Sequence, residues 1–506
     1  MVYYCTECWA EFRADAGFLT RAAVDRTMRP RRLAVIPTDA QPRAVGPGSL
    51  PPSPRAPALL VTLRYVRDPI PLIEACAREL GDIFTLRLVG SGNWVFLTRP
   101  DHLKTMFLGA PESLHAGAAN TSVFGPVTGT RAAFGLDEEP HLRRRRLLLQ
   151  PLHGDRMHEY TEVVRDLTEA MVRSWPAERC FALHPHLQRT TLRVILRAIF
   201  GLDRAAENGR LWELLVQISD APGSALFLSR ALQWNLGRFS PWGRMLGLVR
   251  ELDRVLHDEI RRRRAEPLDP SRTDIFSLLL RATDEDGQPL SERDLRDELV
   301  TMLLAGHETT GTGLAWAFER ILSEPEIQQK VRSELEAVLA GGRLERAHLP
   351  RLRYLDAVLK ETLRFRPIMP IGGSRKVVRP FEVGGFILPP GTTVTNCMYL
   401  VMRRPELFPE PESFRPERFL ERQPDPWEWT AFGGGVRRCL GMAFALLEMK
   451  VVVATVLSMT HLRLAVPKVG VARRGFFLAP EGGPPVWVDR IAPPAARAAP
   501  PDPSPS

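Results

Sequence analysis

One cysteine in a glycine-rich loop constrains this chain more than any other feature. Phe432 to Ala445 runs F-G-G-G-V-R-R-C-L-G-M-A-F-A, with Cys439 among Gly433, Gly434, Gly435 and Gly441. The residues that follow carry an apolar stripe, Leu446, Leu447, Met449 and Val452, which predicts a helix. Cys439 therefore falls just before or at a helix start, where unpaired N–H groups and the helix dipole favour an anion. Arg437 and Arg438 add positive charge, so the expectation is a thiol with a lowered pKa. Glycines allow a flat ligand to approach the backbone closely. A lone thiolate held this way is either a nucleophile or a metal ligand.

The spacing F-x-x-G-x-R-x-C-x-G, carried by Phe432, Gly435, Arg437, Cys439 and Gly441 and extended by Ala445, resembles the heme-binding signature of the cytochrome P-450 superfamily. The resemblance implies heme b (iron protoporphyrin IX) with Cys439 as its axial ligand. A thiolate on heme iron favours O–O cleavage.

Three further motifs follow in the same family's order. His141 and Arg145 are four residues apart and share a face if helical. H-x-x-x-R resembles the propionate anchor of bacterial members. The longer run through Pro151, His153 and Gly154 is similar to a subgroup with cyanobacterial and myxobacterial members. Next, Leu290 to Ser323 has a long helical pattern, with Ser291 and Asp294 placed as a capping box. Its middle, Ala305 to Gly311 (A-G-H-E-T-T-G), is poor helix material, which suggests a widened turn where a ligand approaches. It resembles the family's A-G-x-[DE]-T-[TS]; by that resemblance Glu308 gates proton delivery and the Thr309 hydroxyl holds dioxygen with its proton-donating water. His307, at the variable position, is read as structural or partner-facing. Finally, Glu361-x-x-Arg364 with Arg418 resembles the family's buried triad behind the thiolate. Arg375 stands ready for a propionate. Met302, Ala305, Gly306, Ile368, Met369, Ile371, Phe476 and Phe477 are the expected pocket residues, mostly apolar, so a lipophilic substrate such as a fatty acid or terpenoid is expected.

At 506 residues, with 44% hydrophobic and 25% charged content, the composition is that of a globular protein. No uninterrupted apolar run reaches the roughly 18 residues of a membrane span, and the N-terminus lacks the pattern of a signal peptide. A cytoplasmic protein without a membrane span is expected. The 6 cysteines are scattered, which suits a reducing compartment. Net charge is +9, much of it in the runs Arg143 to Arg146, Arg261 to Arg264, Arg403 with Arg404, and Arg437 with Arg438. No nucleic-acid motif accompanies this charge. An acidic redox partner explains it better.

Residues 1–57, with a proline-rich end and a lone Cys5-x-x-Cys8, are expected to be a disordered or wrongly started extension. Residues 58–491 form the expected catalytic domain, and 492–506 a disordered tail. Within the domain, Ala110 to Gly135 is expected as a long loop, and Phe381 to Leu388 with Thr392 to Thr395 as a hairpin. A second hairpin is expected between Phe476–Leu478 and Val486–Val488.

By resemblance the fold is mainly α with a small β-rich lobe, a triangular prism of helices enclosing heme. The implied activity is a bacterial monooxygenase or hydroxylase, monomeric, using dioxygen and electrons from NAD(P)H through a reductase with a ferredoxin or flavodoxin. A heme-thiolate isomerase or dehydratase, or a heme gas sensor, stands as the alternative; Glu308 and Thr309 argue against both.

Overall fold

The computed structural model describes residues 50–149, 155–176, 179–201, 209–219, 233–267, 269, 272–283 and 287–491. Residues 1–49 with Cys5 and Cys8, the stretch holding Pro151, His153 and Gly154, and the C-terminal tail lie outside them.

In chain order, α1 (Ala58–Arg67) and α2 (Pro69–Leu80) lead to β1 (Ile83–Leu88), β2 (Gly92–Leu97) and α3 (Pro100–Phe107). Then come β3 (Leu114–His115), α4 (Ala116–Thr128), α5 (Glu138–Leu149), α6 (Asp155–Arg173), β4 (Phe181–Ala182) and α7 (Leu183–Phe200). α8 (Gly209–Ser219), α9 (Pro241–Ala265), α10 (Ile275–Arg281), α11 (Glu292–Ser323), α12 (Pro325–Leu339) and α13 (Arg353–Phe365) follow. The chain ends with β5 (Gly372–Val377), β6 (Phe381–Val383), β7 (Phe386–Leu388), β8 (Thr393–Asn396), α14 (Met398–Val401), α15 (Arg418–Glu421), α16 (Met442–Met459), β9 (Thr460–Leu464), β10 (Val471–Arg474), β11 (Phe477–Pro480) and β12 (Pro485–Ile491).

The architecture is mainly α with small sheets, as expected. α11 runs through the middle of the core. Its start is fixed by the Ser291–Asp294 capping box, both halves of which form. Trp316 and Phe318 on it are fully buried, each worth about 1.5–3 kcal/mol or more in transfer from water. α7 and α16 pack against it. Among the described residues α16 alone has the length and apolar composition of a membrane span, despite Glu448 and Lys450. It is 61% buried and packs against α6, so the protein uses it as core. The largest sheet has the order β1-β2-β8-β5-β3, with β2 and β8 parallel.

Several elements differ from expectation. The proline-rich stretch from residue 50 is packed, not loose: Thr85 bonds the Pro51 and Pro52 carbonyls, each at 2.8 Å, and Leu50 and Ala56 join the core. Proline lacks an N–H but can still accept, which is how an irregular segment edges a sheet. Residues 110–135 contain α4, with Pro126 within its last turn. The real hairpin is β6 with β7, turning at Gly384 and Gly385; β8 leaves it to join β2 and β5. Likewise β11 pairs back to β10, while β12 lies between β9 and β4.

Candidate active site

The cysteine loop is closed by its own backbone, where Cys439 N donates to Phe432 O at 3.0 Å. α16 begins at Met442, with Ala445 N donating to Gly441 O at 2.8 Å. Phe432 is set by its ring contact with Trp429, 5.8 Å between centroids. The glycines serve two purposes. A Cβ at Gly435 would lie 2.4 Å from Phe107 O, and one at Gly434 2.5 Å from the Phe107 ring, so α3 presses on the loop here. Gly435 also has φ +63, which disfavours any side chain. At Gly441, by contrast, a Cβ would meet nothing within 4 Å.

Cys439 is exposed, while protein atoms around it desolvate its thiol. Burial raises its pKa, against the opposing pull of the Gly441 and Met442 N–H groups and of Arg145 and Arg438. The lowered thiol pKa expected from sequence is therefore corrected: desolvation outweighs the helix start and the cations.

Near the thiol the chain gathers basic groups. His141 is buried, and its pKa is depressed to about 3 by burial and then by Arg437, Arg145 and Arg375. Burial likewise lowers Arg375 to about 9 and Arg437 to about 10. Arg145 is lowered by burial, while Cys439 pulls it the other way. Asp137 binds Arg437 at 2.8 Å, and Arg437 also donates to the Ala133 and Leu136 carbonyls. Arg375 donates to Gly373 O at 2.7 Å and lies over Phe107. One carboxylate does not balance three guanidinium groups desolvated beside a neutral imidazole, and such a cluster fits a dianion beside the thiol. The space over Gly441 fits a flat group. The residues present thus suit a heme.

The middle of α11 is continuous α-helix with no widened turn. Its glycines are explained by neighbours: a Cβ at Gly306 would lie 2.8 Å from Ile195 of α7, and one at Gly311 3.1 Å from Gln188. Gly306, expected to line the pocket, instead turns its Cβ position to α7. Thr309 is half-buried and bonds Ala305 O at 2.7 Å, on the side where Ala305 is exposed. Glu308 is buried on another side and accepts from Gln188 Nε2 at 2.7 Å. His307 bonds Leu303 O at 2.8 Å and Ser219 of α8 at 3.1 Å, so it has a structural tie. Nothing local in the sequence signals Gln188.

Glu361 and Arg364 are fully buried and joined by two bonds, 2.7 and 2.8 Å, with Arg418 Nε at 3.1 Å from the same carboxylate. Arg415 N completes it at 2.9 Å, and Arg364 donates onward to Met402 O. Of the remaining expected pocket residues, Met302 is half-buried on α11 and Ile368 lies 3.4 Å from the Cβ position of Gly313. Met369 lies near Gly372, and Ile371 and Phe476 pack on the core beneath the large sheet. Phe476 meets Phe124 of α4 at 4.8 Å between centroids, and Phe477 sits in β11 opposite Arg474. Phe124 went unnoticed in the sequence because α4 did.

The arginine runs do not form one basic surface. Arg403, Arg404 and Arg263 are buried and bond backbone carbonyls or internal acids. Arg143 and Arg146 face outward.

A mainly helical fold that sets a cysteine loop beneath a buried basic cluster is the architecture of a heme-thiolate protein. The cytochrome P450 family model matches residues 50–471, and the chain belongs to that family. It is 37% identical over 414 residues to cytochrome P450 135B1 of Mycobacterium tuberculosis, covering 82% of this chain and 85% of that one. It is 36% identical to cytochrome P450 138 of the same organism over 81% of this chain and 89% of the relative. Among solved structures, retinoic acid bound cyanobacterial CYP120A1 superposes with TM-score 0.77 at 26% identity, over 87% of this chain and 99% of that one. The cytochrome P450DA heme domain, at 21% identity and TM-score 0.76, shares the fold over 88% of this chain and 98% of its own. Membership implies a heme cofactor and an oxygenase in general.

Proposed function

We propose that the protein is a cytoplasmic monooxygenase that inserts one oxygen atom from dioxygen into a lipophilic substrate. The grouping of His141, Arg145, Arg375 and Arg437 within one another's fields, with Arg145 in the field of Cys439, carries this reading. His141, Arg145, Arg375 and Arg437 would hold the carboxylates of heme b, Cys439 its iron, and Gly441 its flat face. Heme bound there supplies two-electron activation of dioxygen.

The chain's own residues supply protons and exclude water. Inserting one oxygen into a C–H bond and reducing the other to water consumes two electrons and two protons. Glu308 is the acid and the Thr309 hydroxyl the carrier. In the structure they lie on different sides of α11, so a water or a side-chain rotation must link them. Electrons come from NAD(P)H through a reductase and a ferredoxin or flavodoxin, which would dock where Arg143, Arg146 and exposed Val436 face out. Met302, Ala305, Ile368, Met369, Ile371, Phe476 and Phe477 line the substrate side, and the retinoic acid named for the cyanobacterial relative favours a terpenoid or fatty acid.

The test is turnover of a lipophilic substrate, chosen by its spin-state shift on binding, with NAD(P)H, reductase and ferredoxin. Oxygenated product that depends on all three is expected. Product from a hydroperoxide with no electron source would instead support an isomerase. Thr309→Ala is expected to keep the heme spectrum but divert electrons to peroxide; full coupling in that variant would remove the hydroxyl from the relay.

A further inference from the structure

The polar contacts of α7 with α11 are concentrated at one place. Thr191 Oγ1 donates to His307 O at 3.0 Å, and His184 Nε2 lies 3.4 Å from Thr312 Oγ1. Between them Gln188 donates through Nε2 to the buried Glu308 carboxylate at 2.7 Å. The other end of the same amide, Oε1, faces Arg474 Nη1 at 3.5 Å. Arg474 is exposed at the end of β10, next to the turn that carries Phe476. That hairpin is anchored close to its turn, where Leu478 N donates to Ile368 O at 2.7 Å and Leu478 O accepts from Trp316 Nε1 at 2.8 Å. Arg474, Gln188 and Glu308 therefore form one polar line from the surface to the middle of α11.

We infer that Gln188 is a positioning residue for the acid, holding Glu308 on the α7 side of α11, where Arg474 connects it to solvent. This rests on the acid role of Glu308 proposed above. The amide is a neutral donor with no proton of its own to release under ordinary conditions, so it orients the carboxylate rather than replacing it. A fixed amide bonded to a carboxylate stabilises one rotamer, and losing it frees the side chain. Arg474 keeps the amide oriented N-to-carboxylate, because its guanidinium can only donate to the carbonyl end.

The experiment uses the heme-loaded full chain with carbon-13-labelled glutamate. The Glu308 carboxylate stretch is isolated by subtracting the infrared spectrum of Glu308→Gln. Gln188→Leu is expected to move that band and to raise peroxide released per NAD(P)H about tenfold, less than the roughly 10²–10⁴-fold that loss of the acid itself would cost. The Soret spectrum and the substrate spin-state shift should stay as in the parent. Arg474→Gln, at the surface and safe for folding, should move the band the same way with a smaller loss of coupling.

An unmoved band in Gln188→Leu, or in Arg474→Gln should the first variant not fold, overturns the inference. Full coupling in Glu308→Gln would sink the acid role instead, and the infrared band would still report whether Gln188 holds the carboxylate.

Discussion

Arg143 to Arg146 are four identical residues whose environments have little in common. Arg143 and Arg146 share Glu139 at the surface, Arg144 reaches Glu298 at 3.0 Å, and Arg145 sits in the field of Cys439. Helical phase alone separates them. The sequence shows the phase once a helix is assumed, and that is why Arg145 was legible beside His141. Cys439→Ala is expected to abolish the strongly red-shifted Soret band of the reduced carbon monoxide complex, and a normal band in the variant would refute the ligand assignment. Motif residues were readable because few chemistries need those types at that spacing. The thiol's pKa direction was not, since desolvation depends on atoms from distant parts of the chain. Gln188 was invisible for the same reason: its partners lie far along the chain at Glu308 and Arg474.

α11, with its capping box and long period, was legible; the pairing of the later strands was not. β8 follows the β6–β7 hairpin in sequence but joins β2 and β5, a choice made by the buried run Thr393 to Asn396. α4 escaped because glycines and Pro126 mask its pattern. Close helix packing yields a sharp prediction. Gly306→Val should cost about 1–3 kcal/mol by overpacking against Ile195, read from urea denaturation. Ile195→Ala in the same chain should recover part of that loss, which a double-mutant cycle measures. α13, α15 and the turn at Ser413 meet at the Glu361–Arg364 pair, where Arg418 bonds Glu361 and the Ser413 carbonyl accepts from Arg364. Glu361→Ala should cost roughly 3–5 kcal/mol, because it leaves Arg364 buried without its counter-charge; a loss below 1 kcal/mol would show that the network is dispensable.

Whole-molecule stability should carry the signature of Glu298. This carboxyl on α11 accepts from Ala133 N at 2.7 Å and from Arg144, joining α11 to α5 and to the segment before it. Burial pushes its pKa up to about 7 despite Arg144. The native state therefore keeps the proton where the unfolded chain has released it. The contribution is complete below the ordinary carboxylate range and is lost as pH rises through about 7. Its size is on the order of 3 kcal/mol. Glu298→Gln should flatten the pH dependence of denaturant stability between pH 4.5 and 7, and an unchanged slope would contradict it.

α16 has a consequence for biosynthesis. Tyr160 of α6 meets Phe444 of α16 at 5.2 Å between centroids, although the two are far apart in the chain. While a ribosome makes the protein, α6 and α11 are finished long before the apolar helix that covers them exists. The cysteine loop and α16 are made after both, so metal capture and closure of this part of the core wait for the same segment. Until then the nascent chain exposes surfaces that α16 is needed to cover, and a chain stopped before α16 should be a chaperone substrate rather than a smaller working domain.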